Sequence, residues 1–78
     1  MNFDELFDDH ETFGQFTVTI DAECNRADVW LNEIGVNIEY VIADAFTGES
    51  EEDAIVEAIY NSGYRSQIIA WVENHDLY

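Results

Sequence analysis

Seventy-eight residues make one small domain, residues 1–78, which buries only about 60–65% of the surface its unfolded chain exposes. Hydrophobic content of 47%, with 14% aromatic residues, excludes a disordered acidic tail. Eighteen Asp and Glu against two Arg and no Lys give a formal charge of −16, which argues against direct binding to DNA, RNA or a membrane surface.

The first segment, "FDELFDDHE" at residues 3–11, carries Phe3, Leu6, Phe7 and His10 at the spacing of one helical face. Asn2 is an N-cap with Glu5 in capping-box register. The spacing predicts a helix that Gly14 ends. "QFTVTIDAEC" then alternates, turning Phe16, Val18, Ile20, Ala22 and Cys24 to one side and Asp21 and Glu23 to the other. "ADVWL" continues with Ala27, Val29 and Leu31 inward and Asp28, Trp30 and Asn32 outward. A two-residue turn at Asn25-Arg26 would join these strands, pair Cys24 with Ala27 and set Glu23 opposite Asp28. "VNIEYVIADAF" reads as a third strand, with Val36, Ile38, Tyr40, Ile42 and Phe46 on one side.

"SEEDAIVEAIYNSG" opens with Ser50 as N-cap and Asp53 at the third helical position, places acids where the helix dipole favours them, and stops at Gly63. "SQIIAWVENHD" is a further helix, buried through Ile68, Ile69 and Val72. The expected architecture is α+β, a three-stranded antiparallel sheet with helices on one face in the order α-β-β-β-α-α.

Acids dominate the charged positions. A domain of this size ordinarily carries a net charge of about 2–8, and the excess here costs stability through self-repulsion. On the expected first helix Asp4, Asp8 and Glu11 form one row and Glu5 with Asp9 another. Asp21 and Glu23 share a strand face about 6.8 Å apart, near the separation of successive phosphates along one strand of DNA, on the order of 6–7 Å. A like-charge pair of Glu23 and Asp28 across the hairpin would cost stability, and local rules broken in this way point to function. Glu49, Glu51, Glu52 and Asp53 supply further carboxylates at the 49–53 turn. Trp30, by parity on the polar face, is either covered by a helix or offered to a partner as a contact.

Other chemistries fit less well. Asp21-x-Glu23-x-Asn25 opens like a calcium loop, but Arg26 stands where such a loop needs Gly, and Asn32 where it needs Glu. No Ser, Cys or His sits in a nucleophile motif and no Gly-rich phosphate loop occurs, so no enzyme, metal or cofactor is expected. Cys24, the single cysteine, cannot form an internal disulfide. The first residues have no signal-peptide pattern and no stretch approaches ~18 apolar residues, so a cytoplasmic location is expected. Halophilic adaptation also enriches acids, yet this chain keeps eight Ile and five Phe.

In size, acidity, α+β layout, aromatic content and lack of a catalytic motif, the chain resembles the small phage-encoded anti-CRISPR proteins and, more broadly, DNA-mimic inhibitors. The resemblance implies a partner. That partner is a basic nucleic-acid-binding protein, a Cas effector subunit whose DNA- or PAM-binding surface, in type I Cascade or Cas9, would be occluded stoichiometrically inside the infected bacterial cell. It implies no particular contact residue. A monomer is the expected state, with a dimer the alternative. The alternative functions are inhibition of a restriction or repair enzyme, or an acidic halophilic or structural domain with no dedicated basic partner.

Overall fold

A computed structural model of the chain describes residues 7–44 and 47–75. Four strands come first: β1 Asp9–Phe13, β2 Phe16–Asp21, β3 Arg26–Leu31 and β4 Ile34–Asn37. Three helices follow: α1 Ile38–Ala43, α2 Glu51–Ser62 and α3 Arg65–Glu73. The strands form one antiparallel meander in the order β1-β2-β3-β4. The expected three-stranded sheet in the order α-β-β-β-α-α is therefore wrong, and the error arises in two places.

The first is at residues 9–13, where a helix was expected and β1 stands. Phe13 pairs with Phe16, Glu11 with Val18 and Asp9 with Ile20. Gly14, at φ +59°, opens the two-residue turn between the strands, a position where a hairpin needs positive φ. A short helix has little stability of its own, so pairing with β2 decides the conformation. Phe3, Leu6 and the Asn2–Glu5 cap lie outside the described residues.

The second is the expected third strand, which stops at Asn37. The Asn37 side chain accepts the Glu39 N–H at 2.9 Å and starts α1. Ile38 and Val41, three residues apart, are buried, while Tyr40 and Ile42 are 56% and 46% exposed. Helical spacing has won over the alternation of Val36, Ile38, Tyr40 and Ile42. Arg65 of α3 then closes α1. Its Nε lies 2.7 Å from Asp44 Oδ1, and its Nη2 donates to the Ile42 carbonyl at 2.9 Å. A cation at a helix C-terminus satisfies carbonyls that the helix leaves open.

The inward parity of β2 and β3 is as expected. Phe16, Val18, Ile20, Ala27, Val29 and Val36 form one core with Ile38, Val41, Ile55, Val56, Ile59, Ile68 and Val72. The helices thus cover one face of the sheet. Ser50 caps α2 by accepting the Asp53 N–H at 3.1 Å, and Gly63 ends the helix at φ +85°. Among the described residues no helix is long and apolar enough to cross a membrane.

Candidate functional site

The acids must be placed one by one, because the structure gives them different work. Asp4 and Glu5 lie outside the described residues. Asp8 accepts the Ala22 N–H at 2.7 Å, which ties the approach to β1 to the β2–β3 turn. Asp9 is held from two sides: Oδ1 accepts the His10 N–H at 2.8 Å, and Oδ2 lies 2.9 Å from His75 Nε2. Glu11 accepts the Thr12 N–H at 3.0 Å and is exposed. The helical rows Asp4–Asp8–Glu11 and Glu5–Asp9 do not form over the described residues. Asp9, Glu11 and Phe13 alternate instead, facing the same way as Ile20, Val18 and Phe16.

The β2–β3 connection also differs from expectation. Ile20 pairs with Ala27 and Asp21 with Arg26, so residues 22–25 form the turn and Ala22 and Cys24 are exposed. Asp21 Oδ1 accepts the Cys24 N–H at 3.2 Å, and Asn25 takes the left-handed conformation at φ +53°. An Asp that bonds its own turn and an Asn that tolerates positive φ make this four-residue turn preferable to the two-residue one. Glu23 is exposed in the turn rather than opposed to Asp28, so the costly cross-strand pair does not exist. The Asp21 carboxylate raises the pKa of the Cys24 thiol above its ordinary value, mainly by accepting its hydrogen bond.

Asp28 and Trp30 belong to the sheet's second face. Asp28 is only 7% exposed and takes Arg26 bidentately, Nε to Oδ2 at 3.0 Å and Nη2 to Oδ1 at 2.6 Å. Trp30 is half-buried. Its Nε1 donates to Thr19 Oγ1 at 2.9 Å and its ring centroid lies 6.1 Å from that of Phe7. Gly35 opposite is bare because a Cβ there would come within 2.8 Å of the Trp30 ring. Trp30 thus anchors a small aromatic layer of the fold.

Glu49, Glu51 and Glu52 are exposed at the start of α2, whereas Asp53 is half-buried and accepts the Thr47 hydroxyl at 2.6 Å. That hydrogen bond is the main reason its pKa is lowered. Glu33, which the sequence reading left out, lies beside Glu51 on a groove of about 750 Å³ floored by Leu31, Ile34, Ala54 and Ile55. The acids therefore gather at two corners. Asp8, Asp9, Asp21 and Glu23 stand where β1 begins and β2 turns into β3; Glu33 and Glu51 share the groove where β3 turns into β4, with Glu49 and Glu52 near Glu51 in the chain. These turns lie at opposite ends of β3, about 20 Å apart, and β1 and β4 are about 14 Å apart across the sheet.

Both arginines are paired within the chain, the half-exposed Arg26 with Asp28 and Arg65 with Asp44 and α1. His75 can add a positive charge beside Asp9. Its Nδ1 lies 2.7 Å from the Trp71 carbonyl and its Nε2 faces Asp9. Two acceptors require two ring protons, so this geometry is that of the imidazolium. The Asp9 carboxylate is the first cause of a raised His75 pKa and the Trp71 carbonyl the second, and His75 in turn lowers Asp9. Among the described residues no three His, Cys, Asp or Glu side chains converge as metal ligands would. No family model matches the chain, and neither a curated protein nor a solved structure does so.

Proposed function

We propose that this protein is a non-catalytic acidic inhibitor that occupies the nucleic-acid-binding surface of a basic protein and displaces DNA from it. One observation carries the proposal. Both arginines are neutralised within the chain, paired with Asp28, Asp44 and carbonyl groups, while Glu11, Glu23, Glu33, Glu49, Glu51 and Glu52 are left facing solvent or the groove. A small fold that pairs its few cations in this way keeps a strongly negative field, which steers association with a positive surface and speeds it at low salt. Arginines and lysines that hold phosphates would meet carboxylates instead, in charge-assisted hydrogen bonds of the same kind. The resemblance to anti-CRISPR proteins directs the choice of partner to a Cas effector, type I Cascade or Cas9.

On this reading fewer residues are available to a partner than the sequence pattern suggests. Asp28 and Trp30 serve the fold, and Asp8, Asp9 and Asp21 are partly engaged by backbone N–H groups. Glu11, Glu23, Glu33, Glu49, Glu51 and Glu52 remain for a partner. In the test, the immobilised protein is exposed to purified Cascade, Cas9, a restriction enzyme and a repair glycosylase. Retention of one of them, and its elution by excess duplex DNA, is expected. An effector retained equally in the presence of saturating duplex would contradict occlusion.

A further inference from the structure

β1 is the first strand of the sheet and pairs within it only with β2. In an antiparallel ladder every second residue of such a strand turns its N–H outward, where another strand can add. Here the N–H groups of His10 and Thr12 are taken by the carboxylates of Asp9 and Glu11. The edge thus presents carboxylate oxygens where an ordinary edge presents donors. A neutral strand adding to it would have to displace both acids, and a second copy of the chain would bring another charge of −16 against it.

Beside this edge runs a groove of about 650 Å³ between β1 and α3, with Phe13, Tyr64 and Trp71 as its aromatic walls and Gln67, Ala70 and Glu11 along it. The walls are set in advance. Phe13 meets Trp71 edge-on at 6.3 Å, and His75, itself held by Asp9 and the Trp71 carbonyl, packs on Trp71 at 4.3 Å. Tyr64 lies against the β1–β2 turn, where a Cβ on Gly14 would come within 2.6 Å of its ring. Fixed aromatic faces beside an edge whose outward N–H groups are already taken by carboxylates suit one common side chain above others. A guanidinium is planar, stacks on aromatic rings and donates in a fork to a carboxylate, whereas an ammonium is a compact, strongly hydrated charge.

We propose that the β1 edge and the β1–α3 groove form the docking surface for an extended arginine-rich segment of the partner, with guanidinium groups stacked on Trp71 or Tyr64 and hydrogen-bonded to Glu11. This rests on the basic-partner reading above and names the part of the surface that confers selectivity. Alternate side chains of an extended segment repeat at about 6.8 Å, the same interval that separates Asp9, Glu11 and Phe13 along one face of β1.

The test uses the whole chain, labelled with ¹⁵N and titrated with an arginine–glycine repeat peptide or a lysine–glycine peptide of equal charge. Amide shifts are expected to concentrate in residues 10–14 and 64–74, with the arginine peptide binding at least about threefold more tightly. Glu11→Gln keeps an acceptor for Thr12, and Ala70→Arg places the chain's own guanidinium in the groove from an exposed helix position. Each is expected to weaken the arginine peptide about tenfold while leaving the melting temperature unchanged. Shifts centred on Glu33 and Glu51, equal affinity for the two peptides, or full affinity in Ala70→Arg would each overturn the assignment. Self-association that Ala70→Arg abolishes would give the groove to a second copy and overturn it as well. The two readings fail separately. If the parent chain displaces duplex from its effector and Ala70→Arg does so equally, this surface falls and the inhibitor stands; if the parent retains no DNA-binding protein, the inhibitor itself falls.

Discussion

Reversing Asp8 and Asp9 to lysine separates the two roles a carboxylate can have here. Each reversal adds two charges, so the formal charge of −16 becomes −12. On charge alone the change should stabilise. A neighbouring carboxylate at ~7 Å repels by about 0.3 kcal/mol in ~0.1 M salt, and a lysine turns that into a similar attraction. Against this stand specific bonds. Asp8 gives up the Ala22 N–H, about 1 kcal/mol for a charge-assisted bond near solvent. Asp9 gives up His75 and the His10 N–H, together about 0.5–1 kcal/mol for exposed contacts. At ~0.05 M NaCl the effects nearly cancel. In ~1 M NaCl the Debye length falls to about 3 Å and only the lost bonds remain. The expected deficit there is about 1.5–2 kcal/mol, a fall in melting temperature of about 6–15 °C for a domain of this size. Thermal denaturation followed by circular dichroism at both salts gives the answer. The Asp8→Asn, Asp9→Asn pair keeps an acceptor at each site and should lose far less. A double-lysine variant as stable as its parent in ~1 M NaCl would refute the reasoning and return both acids to the solvated surface.

Three further outcomes are expected. Gly35→Ala presses a methyl group into the Trp30 ring, with three ring atoms at 2.8–2.9 Å, and should cost about 1–3 kcal/mol by denaturant titration. The His75–Asp9 clasp stabilises fully below the ordinary His value of 6.5 and fades as pH rises through the raised folded value; its Asp9 half holds above 3.8 and is lost as pH falls through the lowered one. The stability difference between parent and His75→Gln should therefore be greatest between those values and shrink towards pH 8, and the His75 ring should titrate by NMR above 6.5. Glu73→Lys replaces an acid in the last turn of α3, which has no basic residue there, and should raise stability by about 0.3–1 kcal/mol through the helix dipole and reduced repulsion.

Much of the fold was legible where one pattern stood alone. Phe16, Val18 and Ile20 carry an unopposed alternation, and Ser50, Asp53 and Gly63 mark α2 at both ends. β1 was not legible because it is an edge strand with acids on its helix-facing side; only Phe13 gives it an apolar anchor, while Phe7 and His10 complete an apparent helical face. The one local sign was Gly14-Gln15 between two phenylalanines. α1 was hidden by competing periods in a single stretch, since Ile38 serves both the alternation and the helical spacing to Val41; Asn37 followed by Glu39 was the signal that decides it. For the site, exposure of Glu23, Glu49, Glu51 and Glu52 followed from local pattern. The engagement of Asp28 by Arg26 did not, because a two-residue turn at Asn25-Arg26 would take Arg26 out of the strand, whereas it pairs with Asp21. Glu33 and His75 were missed because their neighbours, Glu51 and Asp9, are supplied by tertiary packing alone.

Under the proposed function the outward carboxylates stand in for phosphates on a basic partner. Fluorescence anisotropy of labelled duplex, bound to the effector that the protein retains, measures this directly as the protein is titrated in at several salt concentrations. Occlusion requires release of the duplex with an end point near one protein per effector, and an apparent affinity that falls steeply with salt, as for a polyanion that replaces many counterions. Glu23→Lys with Glu51→Lys should weaken that release at every salt concentration. A duplex that stays bound to a saturated effector, in a ternary complex, would rule out occlusion.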